Sequence, residues 1–168
     1  MTHPLVEQFR FTRSEWLRGL KGLTEEDAAK HFGQMNCISW IVGHLGWHEQ
    51  KFWLERAQNI ILFPDLSSRF GYGKPMSTPA LSDVLAKWHT VTEATEPFLD
   101  SLTTEVLQSE LLKHGKAIGQ SYGSAMQRIT YHYWYHIGEI QAIRQLLGQK
   151  DLPMYVGSIE RKAPFRAE

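Results

Sequence analysis

Cysteine is nearly missing: Cys37 is the only one in 168 residues. A disulfide framework and a cysteine-rich zinc ribbon are therefore excluded. Charge of one sign is not in excess either, since Lys and Arg total 18 and so do Asp and Glu. Nucleic-acid binders carry a basic surplus, so small molecules or proteins are the expected partners and nucleic acid is not. No apolar run approaches the roughly 18 residues of a membrane span, and the N-terminal MTHPLVEQFRFTR lacks a signal peptide's apolar region. A cytoplasmic protein with no membrane partner is expected. Internal repeats and low-complexity stretches are absent too. The 42% hydrophobic and 21% charged composition is ordinary for a globular chain, and the length fits one domain with a real core.

What is plentiful is aromatic and imidazole: six Trp, six Tyr, eight Phe and eight His. Many of them fall on helical stripes. Leu5, Phe9, Trp16 and Leu20 mark a first helix from Pro4 to about Leu20, and Thr24 with Asp27 suggests a capped short helix after it. Ser39 reads as the N-cap of a second long helix, WIVGHLGWHEQKFWLERAQ, with Ile41, Leu45 and Phe52 inside and Trp40, Trp47 and Trp53 widening the face. The stretch 59–78 holds Pro64, Gly71, Gly73 and Pro75 and reads as a long connection.

A third helix is expected from Thr78-Pro79 to about Leu102, with Pro97 kinking or shortening it. TTEVLQSELL then suggests a turn or two of helix, and KHGKAIGQ a tight turn or small hairpin. A fourth long helix follows, from Ser121 or Ser124 to about Leu147, with Gly148 as its C-cap. Alternating strand patterns are lacking, so the expected fold is an all-α four-helix bundle over about 4–148. An irregular tail, 149–168, lies against it within a single domain, 1–168.

The inner stripe of the fourth helix reads Ala125, Ile129, His132, His136, Ile140, Ile143, Leu147. An imidazole on an apolar stripe must satisfy its ring nitrogens or incur a desolvation cost. The second helix repeats the anomaly with His44 and His48, also one turn apart. A shared metal ion accounts for all of them. Two imidazoles from the fourth helix and one from the second make three ligands with positions left open, as in catalytic zinc sites. Spacing alone does not choose between His44 and His48. The Glu-x-x-His pairs of a carboxylate di-iron bundle are absent.

At these residues the sequence resembles the DinB/YfiT-like superfamily. SWIVGHLGWHE resembles its first motif, a Trp four residues before a metal-binding histidine, matched by Trp40 and His44. HYWYHIGEIQAIRQLLG resembles its last-helix motif at His132, His136, Gly138, Glu139 and Ile140. The resemblance extends over nearly the whole chain. It implies an up-down-down-up four-helix bundle holding a divalent metal through His44, His132 and His136. His48 is thereby demoted to a neighbour. The ion expected is zinc or nickel, with iron and manganese as alternatives. Relatives include thiol-dependent transferases and isomerases using mycothiol or bacillithiol, and metal-dependent hydrolases. Several are homodimers, so a homodimer is expected.

Glu139, three residues past His136, is a candidate supporting carboxylate or base, against the plainer reading of a polar residue at the bundle rim. Tyr133, Trp134 and Tyr135 should point away from the histidines and pack. Arg144 would form a structural salt bridge or hold a substrate carboxylate. Cys37 reads as a small buried residue rather than a nucleophile. RFGYGKP has the spacing of neither a Walker motif nor a dinucleotide fingerprint, and could wall a pocket. The function expected is a metal-dependent enzyme acting by transfer to a low-molecular-weight thiol or by hydrolysis. The alternative is a non-catalytic, metal-stabilised bundle that binds a ligand or a protein.

Overall fold

Helices carry the architecture, with one small hairpin as the sole sheet among the described residues. The computed structural model describes residues 2–113 and 115–167. It divides into two compact units, Met1–Lys21 with Pro97–Glu168, and Gly22–Glu96. Among the described residues, no helix is long and apolar enough to cross a membrane.

In the unit Gly22–Glu96, α2 (Glu25–Ala29) is capped as expected, the Thr24 hydroxyl accepting from Asp27 N at 3.0 Å. Helix α3 (Ile38–Glu49) starts earlier than the serine suggested: Cys37 is its N-cap and Ser39 lies inside the first turn. Cys37 and Ile38 are both fully buried, so packing sets the boundary in the absence of a side-chain cap. The Cys37 thiol donates to the Ser77 carbonyl at 3.4 Å, fixing the start of α3 to the segment around Ser77.

Every α3 residue except His48 is buried. Such a helix is central rather than amphipathic. It runs on into a π-helical segment, Gln50–Arg56, a wider turn often met near functional sites.

The connection expected to be irregular contains α4 (Pro64–Phe70), begun by a proline in its first turn. Gln50 holds the approach to it: its amide accepts from Leu62 N and Phe63 N at 3.0 and 2.8 Å and donates to Phe63 O at 3.0 Å. Leu66 and Phe70 are fully buried. A side chain at Gly43 would put its Cβ 2.9 Å from the Phe70 ring, so α4 reaches α3 only because that position is glycine.

Helix α5 (Leu81–Asp100) contains Pro97 without ending there, as only its last residues follow. Its start is held by Glu25, whose carboxylate accepts from Leu81 N and Ser82 N at 2.6 and 2.8 Å. Hydrogen bonding from Ser82 keeps that carboxyl below the usual range.

In the other unit, α1 (Pro4–Leu20) packs on α7 (Tyr122–Leu146). The fully buried Tyr133 meets Phe9 and Trp16 edge-on at 6.2 and 5.6 Å. Such pairs contribute about 0.5–1.5 kcal/mol each beyond area burial. Between these helices in sequence come α6 (Thr104–Gln108) and the antiparallel hairpin β1 (Glu110–Lys113) and β2 (Lys116–Ser121). Ser121 caps α7, accepting from Ser124 N at 3.1 Å, and Gly148 follows the helix at φ +74°.

The tail lies on α1 and α7 and includes a short helix, α8 (Ile159–Lys162). Gln8 and Gln141 donate to Ala163 O and Pro153 O at 2.6 and 3.1 Å, while Gly157 N donates to the buried Glu15 at 3.0 Å.

Among the described residues, Arg144 binds main-chain carbonyls where a salt bridge was expected. Its buried guanidinium donates to the carbonyls of Gly19 and Lys21 and to Gln149 Oε1, closing the C-terminal end of α1. Those last carbonyls have no intrahelical partner, and a fixed cation suits the negative end of the helix.

Candidate metal centre

His44 lies on α3 and is 8% exposed. Its Nδ1 stands 2.7 Å from the Phe70 carbonyl at the end of α4. A carbonyl only accepts, so Nδ1 carries a proton, and a neutral ring so placed keeps its lone pair on Nε2. The Trp40 indole lies flat on the ring at 5.0 Å and 12°, which fixes the plane of His44. The Trp40 N–H is buried and finds no acceptor among the described residues. His48 stacks on His44 at 6.0 Å and meets Phe52 edge-on at 5.0 Å.

On α7, His136 is 6% exposed and His132 half-buried. Their Nε2 atoms stand 3.0 Å apart. His136 Nδ1 meets the Glu139 carboxylate at 2.5 Å. A carboxylate accepting there puts the His136 proton on Nδ1 and leaves Nε2 as a donor of electrons. Two nitrogens on one tetrahedral zinc would stand about 3.3 Å apart, so the Nε2 separation is of the right size for a shared ion.

One ring nitrogen from each of His44, His132 and His136 lies within 4.8 Å of the other two. This three-histidine cluster is compatible with metal binding. His48 is outside it. The sequence model of the DinB superfamily matches residues 6–140, a stretch that contains all three histidines.

The chain belongs to the DinB superfamily. Its mostly helical architecture is that of the DinB all-α fold. No curated protein matches it significantly. The superfamily match ends at Ile140, so Arg144 and the tail lie beyond it.

Three neutral imidazoles are a donor set suited to zinc, nickel, iron or copper rather than to magnesium or calcium, which prefer oxygen. In this DinB chain two of the rings have Nδ1 engaged by an acceptor, which orients them as metal-binding histidines are usually oriented. The donor set therefore fits a divalent transition metal.

Two contacts escaped the sequence. The Phe70 carbonyl is main-chain chemistry 26 residues from His44, and no side-chain pattern announces it. Tyr135, expected to face away, instead meets His136 edge-on at 5.0 Å. The negative charge of the Glu139 carboxylate, one turn on, raises the Tyr135 phenol above its usual range. The four-residue spacing of Tyr135 and Glu139 was the available signal. Tyr133 packs in the core and Trp134 packs on Phe11 and Tyr155, as expected of them. Cys37 is buried, also as expected.

Proposed function

We propose that this protein is a divalent-metal-dependent enzyme in which His44, His132 and His136 hold the ion. The observation that carries the reading is the convergence of one ring nitrogen from each of the three histidines within 4.8 Å. Orientation supports it, since Nδ1 of His44 and of His136 is occupied by Phe70 and Glu139. Zinc or nickel is the proposed ion, with iron and manganese as the alternatives to be excluded.

Bound there, such an ion would act as a Lewis acid, polarising a substrate oxygen or lowering the pKa of a water or small thiol. The protein's own part is to keep the three lone pairs aligned and two of the rings largely away from water. Glu139 supports His136 and, with its side chain 31% exposed, is a group able to accept a proton. The proposed chemistry is transfer to a low-molecular-weight thiol or hydrolysis of a small substrate. A homodimer belongs to the same reading, supported by the family resemblance.

The test is a screen of metal-loaded, tag-free protein. Electrophiles are offered with several low-molecular-weight thiols, and esters and amides are offered without them. Turnover that requires metal and disappears in His136→Ala supports the enzyme. A loaded protein that turns over nothing, with every coordination position filled by protein groups, overturns the catalytic part.

A further inference from the structure

Three cavities run together beside the N-terminal half of α1, all within one compact unit. His3, Pro4 and Arg166 line both the first, of about 430 Å³, and the second, of about 660 Å³. Leu5, Gln8 and Ile159 line both the second and the third, of about 280 Å³. Together they form one continuous groove, open to solvent, with the C-terminal tail as one wall. Phe165 borders the middle cavity and is 93% exposed, while Tyr131 and Val156 border the third and are 68% and 50% exposed. Single exposed apolar side chains are ordinary, but several along one groove make a patch, and such patches mark contact surfaces.

Three of the polar side chains lining the middle cavity are already engaged. His3 Nδ1 accepts from Leu5 N at 3.0 Å, Gln8 Nε2 donates to Ala163 O at 2.6 Å, and Arg166 pairs with Glu7. A small-molecule pocket orients its ligand with a few convergent polar groups, and these three are committed to the fold. An apolar occupant from another protein surface suits the groove better.

We propose that this groove is the contact between two copies of the chain, with Phe165 of each copy seated in the middle cavity of the other. The inference rests on the homodimer of the reading above and on none of its metal chemistry. A twofold contact uses the same patch on both copies, so the patch must be convex and concave at once. The tail supplies both, since the protruding Phe165 ring stands beside a cavity with room for a phenyl group. The Glu7–Arg166 pair, its side chains 29% and 37% exposed, brings both charges to the same face. Across a twofold axis each charge can face its opposite, which fixes the register of the contact. The superfamily match ends at Ile140, so Phe165 and Arg166 lie outside the superfamily's pattern.

The experiment is sedimentation of tag-free, full-length protein over a dilution series. It compares wild type, Phe165→Ala and Leu5→Trp, the last of which fills the middle cavity from its wall. Circular dichroism checks that each variant is folded, and Phe165→Ala should be, because the side chain it removes is almost wholly exposed. Wild type should dimerise. Phe165→Ala should weaken the dimer roughly thirtyfold or more, since the loss of a central aromatic is felt at two symmetric sites. An equimolar mixture of Phe165→Ala and Leu5→Trp should associate more tightly than either variant alone, because one intact ring then meets one open cavity.

A wild-type dimer that Phe165→Ala leaves unchanged overturns this contact and leaves the homodimer standing. A wild-type protein that stays monomeric overturns both, while the metal reading keeps its own test. A mixture that associates no better than its two components overturns the reciprocal seating of Phe165. Should Leu5→Trp fail to fold, Phe165→Ala decides alone.

Discussion

His44 Nδ1 stands 2.7 Å from the carbonyl oxygen of Phe70. The short helix α4 thus sets the proton of a histidine on α3, and the close approach of the two helices depends on Gly43. In Gly43→Ala the new methyl would meet the fully buried Phe70 ring at 2.9 Å, and protein interiors are close-packed in general. The expected outcome is a loss of about 1–3 kcal/mol in urea denaturation, accompanied by weaker metal affinity as the Phe70 carbonyl shifts. A variant as stable as wild type, with unchanged affinity, would count against this coupling.

Glu139→Gln keeps the side chain's size and removes the charge that supports His136. Losing such a supporting partner typically costs 10- to 100-fold in metal affinity, and an effect at the lower end is expected because Glu139 is partly exposed. Chelator competition measures it. An unchanged affinity would reduce Glu139 to a polar residue at the rim.

Arg144→Leu should destabilise the fold by about 2–3 kcal/mol, because the carbonyls of Gly19 and Lys21 lose a charged donor. Chemical denaturation reads the loss. Metal content at saturation should not change, since this side chain donates to Gly19, Lys21 and Gln149 and to none of the three histidines. Loss of metal without loss of stability would refute the structural role.

Asp65 links α4 to α5 by accepting from Lys87 Nζ at 2.6 Å. The hydrogen bond from Lys87, aided by Arg69, keeps its carboxyl below the usual range. A lowered folded-state pKa stabilises the fold above the unfolded carboxyl's pKa and loses that contribution as pH falls through the folded value. With 40% of the side chain exposed, the contribution at neutral pH should be under about 1 kcal/mol. Urea denaturation of wild type and Asp65→Asn should therefore differ modestly at pH 7, with the difference closing in acid. A gap that widens in acid would contradict the assignment.

The parts written as periodicity were legible in the sequence. Phe9 and Trp16 on one helix, and Ile129, Ile140 and Ile143 on another, are buried as their spacing required. The three histidines of the cluster were legible as well, because imidazoles on an apolar stripe need an explanation. Spacing could not separate His44 from His48, since both lie on α3 one turn apart, and the carbonyl that orients His44 comes from Phe70, far along the chain. Helix α4 was hidden behind Pro64 and Gly71, although Leu66 and Phe70 stood one turn apart inside it. The start of α3 was misread because a serine resembles a cap, whereas burial of Cys37 and Ile38 decides the boundary. Tyr135 was misplaced because a helical wheel assigns directions to Cβ atoms, and a long aromatic side chain can lean back over its neighbour.

The central claim is that His44, His132 and His136 together hold one divalent ion. Its most direct test is the metal content of the tag-free protein and of His44→Ala, His132→Ala and His136→Ala, with His48→Ala alongside. The account predicts about one zinc or nickel per chain in wild type and His48→Ala, and loss of most of it in each of the other three. Stoichiometric metal retained in all three, or lost only in His48→Ala, would contradict it.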